Sequence, residues 1–132
     1  MAYEDYIMRQ VNSLENVFKK IFSKLLLLNN SVATPAGIAE ISDLLKLATG
    51  LHLNEIANST NDELLARLLE KKLSSSDLNS IINILIDLAK MDNPAATGYE
   101  PDQLLSKAVF IDNYIAKNRK IAYFNNFDSS IG

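Results

Sequence analysis

Residues 5–28 read DYIMRQVNSLENVFKKIFSKLLLL. Apolar residues recur at Ile7, Val11, Leu14, Phe18, Ile21, Leu25 and Leu28, in alternating steps of four and three. That spacing holds one stripe on one side of an α-helix. The stretch contains neither glycine nor proline, and Asn29-Asn30-Ser31 reads as its stop, so a long helix is expected over about residues 3–28. A coiled-coil seam has the same stepping but leaves the intervening positions polar. Here Val17, Phe22, Leu26 and Leu27 add apolar surface outside the seam. The segment therefore reads as one wall of a core, buried on more than one side near its C-terminal end. Its first half, with Tyr6, Ile7, Arg9, Val11, Leu14 and Phe18, is the candidate interaction surface for a partner or a second subunit.

The same periodicity continues along the chain. Thr34-Pro35 is a helix start: threonine can cap, and proline at the first helical position lacks an N–H that would be unpaired anyway. Ile38, Ile41, Leu44, Leu45 and Ala48 follow at helical spacing, with Gly50 placed to end the helix. Leu51, Leu53 and Ile56 suggest a tucked-in segment of about one turn. Thr60-Asn61-Asp62-Glu63 is a capping-box pattern, and a third helix is expected from there to Lys72. Ser75-Ser76-Asp77 opens a fourth, about 77–91, whose broad stripe (Leu78, Ile81, Ile82, Leu85, Leu88, Ala89, widened by Ile84 and Ile86) makes it the expected centre of the core. Asp92-Asn93-Pro94 breaks it. Glu100-Pro101-Asp102 starts a fifth helix carrying Leu104, Leu105, Ala108, Ile111 and Ile115, which can run on to Phe124 before a frayed tail over 125–132. No stretch alternates with period two for long enough to form a strand. The expected fold is all-α: one domain over 1–132, with five or six helices in antiparallel hairpins (35–72 and 77–124), arranged as a tetratricopeptide-like short solenoid or an irregular bundle.

Shifting the chain by 40 residues lays Asp62-Glu63-Leu64-Leu65-Ala66-Arg67 on Asp102-Gln103-Leu104-Leu105-Ser106-Lys107, and Ile38, Ile41, Leu44 and Leu45 on Leu78, Ile81, Ile84 and Leu85. A hairpin used twice gives this pattern. So do two unrelated helices, since helix starts favour acids and core faces favour leucine.

The composition limits the chemistry. The chain has 132 residues, 48% of them hydrophobic, and a net charge of −3, which argues against a general nucleic-acid binder. With no cysteine, disulfides, thiolate nucleophiles and Cys-ligated metals are ruled out. The N-terminus, Met1-Ala2-Tyr3-Glu4-Asp5, shows neither a basic nor an apolar leader region, so a cytoplasmic protein is expected. The lone histidine, His52, lies between Leu51 and Leu53 and reads as a packed or surface residue. Glu4-Asp5 and Asp62-Glu63 lie at helix N-termini, where the dipole favours acids. A carboxylate enzyme would need Glu55, Asp87, Asp92, Asp102 and Asp112, or some of them, to converge in one pocket. On a helical wheel Asp87 falls away from the apolar stripe. Basic clusters stand at Lys19-Lys20-Lys24, Lys71-Lys72 and Lys117-Arg119-Lys120, the last interleaved with Tyr114, Tyr123 and Phe124; stacking on single-stranded nucleic acid is one use of such a pattern, core or dimer contacts the commoner one. No catalytic, cofactor-binding or metal residues are assigned.

Asp5-Tyr6-Ile7-Met8-Arg9-Gln10-Val11, continued by Leu14 and Phe18, resembles the opening of a small family of uncharacterised bacterial all-helical proteins, a domain of unknown function. Gly50-Leu51-His52-Leu53 followed by Asp62-Glu63-Leu64-Leu65 is a second similar block. The resemblance implies a tetratricopeptide-like C-terminal half, where this chain has Gly98-Tyr99-Glu100-Pro101 without the usual spacer and alanine. It implies no activity. The functional expectation is a non-catalytic protein–protein interaction module, including pairing of the long helix with its copy in a homodimer. The alternatives are a binder of a small apolar ligand between helices, and peripheral membrane association through the N-terminal helix.

Overall fold

The structure is a computed structural model that describes the backbone of residues 2–29, 34–91 and 100–131, and the side chains of residues 14–28, 34–91 and 100–118. Among the described residues it has six helices and no strand: α1 (Ala2–Asn29), α2 (Pro35–Thr49), α3 (Leu53–Asn58), α4 (Asn61–Glu70), α5 (Ser75–Lys90) and α6 (Pro101–Ile131). The protein is all-α, as its periodicity indicates.

Local chemistry sets the boundaries. The Thr34 hydroxyl accepts from the Gly37 N–H at 3.1 Å, and Pro35 opens α2. Gly50 ends it in the left-handed region (φ 82°), its N–H donating to the Lys46 carbonyl at 2.8 Å. Thr60 and Glu63 form the expected capping box, each side chain accepting from the other's N–H at 3.2 Å. The fourth helix of the sequence begins earlier than 77. Ser74 is its cap, with its hydroxyl on the Asp77 N–H at 3.1 Å and the Asp77 carboxylate on the Ser74 N–H at 3.0 Å. Helix α4 stops at Glu70 rather than Lys72, because Lys72 takes a positive φ of 54°. Helix α6 passes Asn125, where fraying was expected, and reaches Ile131; no glycine or proline stands between Asp102 and Ile131 to stop it. The break at Asp92-Asn93-Pro94 and the Gly98-Tyr99 pair lie outside the described residues.

The core joins Phe18, Ile21 and Leu25 of α1, Ile38, Ile41 and Leu45 of α2, Leu53 and Ile56 of α3, Leu64 and Leu68 of α4, the stripe of α5, and Leu104, Ala108, Ile111 and Ile115 of α6. All six stripe residues of α5 are buried, as is Ile84, while Ile86 is half-buried. The end of α1 is less enclosed than expected. Val17 and Phe22 are half-buried, but Leu26 and Leu27 are exposed. The wheel explains this: Leu26 and Leu27 fall on opposite flanks of the Ile21–Leu25 stripe, and α2 covers the stripe itself.

Helices α1 and α2 run antiparallel. Lys24 Nζ meets Glu40 Oε2 at 2.6 Å, and a Cβ at Gly37 would lie 2.8 Å from Leu28 Cδ2, so this glycine leaves room for the Leu28 side chain. The two pairs of residues fix the register of the hairpin. Helix α5 packs most extensively on α6, α1 lies against α5, and α3 and α4 close over α6. The 40-residue offset holds for helix starts (Pro35 and Ser75, Asn61 and Pro101) and for buried positions such as Ile41 and Ile81 or Leu64 and Leu104. Packing does not follow it: α5 pairs with α6, whereas α2 pairs with α1 and has little contact with α4. The arrangement is an irregular bundle.

Candidate functional site

The turn between α4 and α5 divides two hollows at one end of the bundle. Ser74, extended (φ −73°, ψ 167°), is the link between them. Leu73 and Ser75 face a cleft of about 120 Å³ shared with Leu65, Leu68, Leu69, Leu78, Phe110, Ile111, Tyr114 and Asn118. Lys72, Ser74 and Ser76, with Lys71, face a broader groove against α1, where Leu14, Glu15, Phe18, Lys19 and Phe22 form the opposite wall and Asp77 and Ser80 the floor.

The cleft is apolar and rather enclosed. Leu69, 54% exposed, stands at its lip. Ligand pockets usually span roughly 300–1,000 Å³, so this cleft suits one side chain rather than an acyl chain. The groove is wetter and mixed in charge, with Lys19, Lys71 and Lys72 facing Glu15 and Asp77 over Leu14 and Phe22.

Of the six candidate interaction residues, the structure places Leu14, half-buried, and Phe18 on the wall of this groove. Phe18 is only 5% exposed and belongs to the core, because the stripe it shares with Ile21 and Leu25 faces inward. Its ring packs in the core while also lining the groove. The side chains of Tyr6, Ile7, Arg9 and Val11 lie outside the described residues.

His52 sits at the start of α3, its Nδ1 3.4 Å from Ser42 Oγ and 3.8 Å from Asp43 Oδ1. The residue types are those of a hydrolytic triad, but the geometry is different. A triad histidine meets serine on one ring nitrogen and carboxylate on the other; here both approach the same nitrogen. Ser42 Oγ also accepts the Leu53 N–H at 3.0 Å, which docks α3 onto α2. This is a structural joint. The carboxylates do not assemble either: Glu55 accepts the His52 N–H at 3.2 Å, Asp102 and Asp112 are exposed, Asp87 is half-buried, and Asp92 lies outside the described residues. Among the described residues no group of three His, Asp or Glu side chains is placed to hold a metal ion, and no helix is long and apolar enough to cross a membrane.

Two features escape a reading by residue type. One is the cleft, assembled from residues 65–118 on three helices and a turn. The other is Lys107, buried to 9% exposure, whose ammonium donates to the Ser59 carbonyl at 2.6 Å and to Asn61 Oδ1 at 3.0 Å. Its signal was positional: Lys107 is three residues after Leu104 and four before Ile111, in phase with the buried stripe. No protein-family model, no curated protein and no solved structure matches this chain.

Proposed function

We propose that the protein is a non-catalytic helical module for protein–protein interaction, acting through the end of the bundle built around the α4–α5 turn. The observation that supports this is the cleft beside Leu69: an apolar hollow sized for one side chain, lined by Phe110 and Tyr114, with an exposed leucine on its rim. A knob from a partner helix entering such a hollow, ringed by polar residues, is the usual anatomy of an interaction hot spot. A small apolar ligand is less well served, because the space is below half of the smallest ordinary ligand pocket.

The test is comparative affinity capture from native lysate with the wild-type chain and with Leu69→Glu. Leu69 is exposed, so the variant should keep the wild-type circular dichroism and melting temperature. A stoichiometric partner retained by the wild type and lost by L69E supports the module. Equal recovery by both proteins, or no stoichiometric partner, counts against this surface.

A further inference from the structure

The cleft beside the α4–α5 turn carries both halves of a contact. Its hollow of about 120 Å³ is lined by aliphatic residues with Phe110 and Tyr114, and Leu69 stands 54% exposed on its lip. An apolar cavity of about 150 Å³ holds a benzene molecule, so the smaller space here admits the four carbons of a leucine side chain rather than an aromatic ring on its stem. The other large apolar side chains exposed among the described residues are Leu26 and Leu27 on α1, Leu47 on α2, and Leu105 and Val109 on α6. On a helical wheel the last two fall on the side of α6 opposite Phe110 and Tyr114. Leu69 is thus the exposed knob that stands next to the hole.

Charge is laid out along the cleft as well. Lys107 reaches Asn61 at the start of α4 at 3.0 Å, and Leu73, just past the end of α4, shares the cleft with Asn118. Helices α4 and α6 therefore run in the same direction. Asp62 stands seven residues before Leu69, and Lys117 seven after Phe110. Seven residues are two helical turns, which keeps each on the face of its helix that borders the cleft. Both are exposed. The cleft thus carries an exposed acid towards one end and an exposed base towards the other.

We propose that a second copy of this chain docks on the cleft about a twofold axis, each Leu69 seated in the other's hollow and the two α4 helices antiparallel. This rests on the interaction-module reading and names its partner as the chain itself. A twofold contact must be self-complementary, and a knob beside a hole is: the contact that seats one leucine brings the other into register. Leu26, Leu47 or Val109 entering the cleft would instead join different faces, and such head-to-tail contacts close as rings or grow into filaments. The charges select the orientation. With the axis across the helices, Asp62 of each copy faces Lys117 of the other. With the axis along them, acid meets acid and base meets base.

The test uses the full chain and sedimentation equilibrium, from about ten to several hundred micromolar. A monomer–dimer equilibrium with no larger species is expected. Leu69→Ala removes the knob, and Ser75→Phe fills the hole from the exposed start of α5. Each should keep the circular dichroism of wild type and raise the dissociation constant by about tenfold or more. Mixed together, the two variants should associate more tightly than either does alone, because the Leu69 of one still has the hollow of the other. Asp62→Lys should weaken the dimer, and adding Lys117→Asp should restore it. A monomer throughout overturns the proposal, as do larger assemblies or a dimer indifferent to Leu69→Ala. So do variants that gain nothing on mixing, and a charge exchange that restores nothing. If S75F does not fold, Leu69→Ala and the charge exchange decide the matter. If a monomer still captures a protein that L69E loses, the module reading survives and the self-pairing alone fails.

Discussion

Replacing Lys107 with methionine should destabilise the protein while leaving its shape intact. The ammonium ties α6 to the α3–α4 junction, spanning 46 and 48 residues of chain to Asn61 and Ser59. Hydrogen bonds to a charged group are worth about 1.5–3 kcal/mol each, and a buried carbonyl left without a donor costs a comparable ~1–3 kcal/mol. Asn61 is exposed, so its amide oxygen can turn to water, and only the Ser59 carbonyl is at risk. Against the loss stands the cost of holding an ammonium in a site with 9% exposure, which methionine removes while keeping most of the stem's packing. The balance is a net loss of about 1–2 kcal/mol, or roughly 3–10 °C in melting temperature for a domain of this size. Thermal melts followed by far-ultraviolet circular dichroism measure it, with Lys117→Met as an exposed control expected to fall within about 0.5 kcal/mol of wild type. Native-state hydrogen exchange adds a local readout: the Ser59 and Leu64 amides, bonded to the Glu55 and Thr60 carbonyls, should exchange faster in the variant. A variant as stable as wild type, with unchanged exchange there, would refute the reasoning and assign the docking of α3 and α4 to apolar contacts alone.

Three further substitutions test the joints of the bundle, each by chemical denaturation. Gly50→Ala forces a Cβ into a left-handed residue and should cost about 1–2 kcal/mol; the nearest obstacle, the Lys71 stem at 3.0 Å from that Cβ, is flexible and moves aside. Thr49→Val keeps the shape of a residue only 1% exposed but strips the hydroxyl that accepts the Leu51 N–H at 3.1 Å, for a loss of about 1–3 kcal/mol. Lys72→Gly should stabilise by about 0.5–1 kcal/mol, since a lysine at φ 54° is replaced by the residue that tolerates it. No gain there would mean that glycine's extra freedom in the unfolded chain offsets the relief.

Much of the fold is legible in the sequence because helices announce themselves locally. Thr34-Pro35, the Thr60–Glu63 box and Gly50 each state a boundary within four residues, and the stripes of α2 and α5 name the buried positions. The misplaced boundaries have the same origin. Ser74 looks no more like a cap than Ser75 or Ser76, and only the reach of the Asp77 carboxylate back to its N–H decides among them. The candidate site was far less visible. Its walls come from residues distant in sequence, and a stripe cannot say whether a neighbour covers it. Phe18 and Leu14 share one stripe and one groove, yet Phe18 is buried and Leu14 only half-buried. Lys107 was hidden for the opposite reason: its residue type outweighed its phase.

The pairing of helices has a consequence for how the chain reaches this state. Helix α1 packs on α2 and α5 on α6, so the larger interfaces join neighbours in sequence. Short loops close at little entropic cost, and folding rate rises as contacts become local. Two hairpin-like halves can thus form independently and early. Their union through α1 and α5, and the Lys107 bonds that fasten α6 to the α3–α4 junction, demand distant closure and come last. A chain with a weakened Lys107 contact would unfold faster while folding at nearly its original rate, a kinetic signature separate from the loss of stability itself.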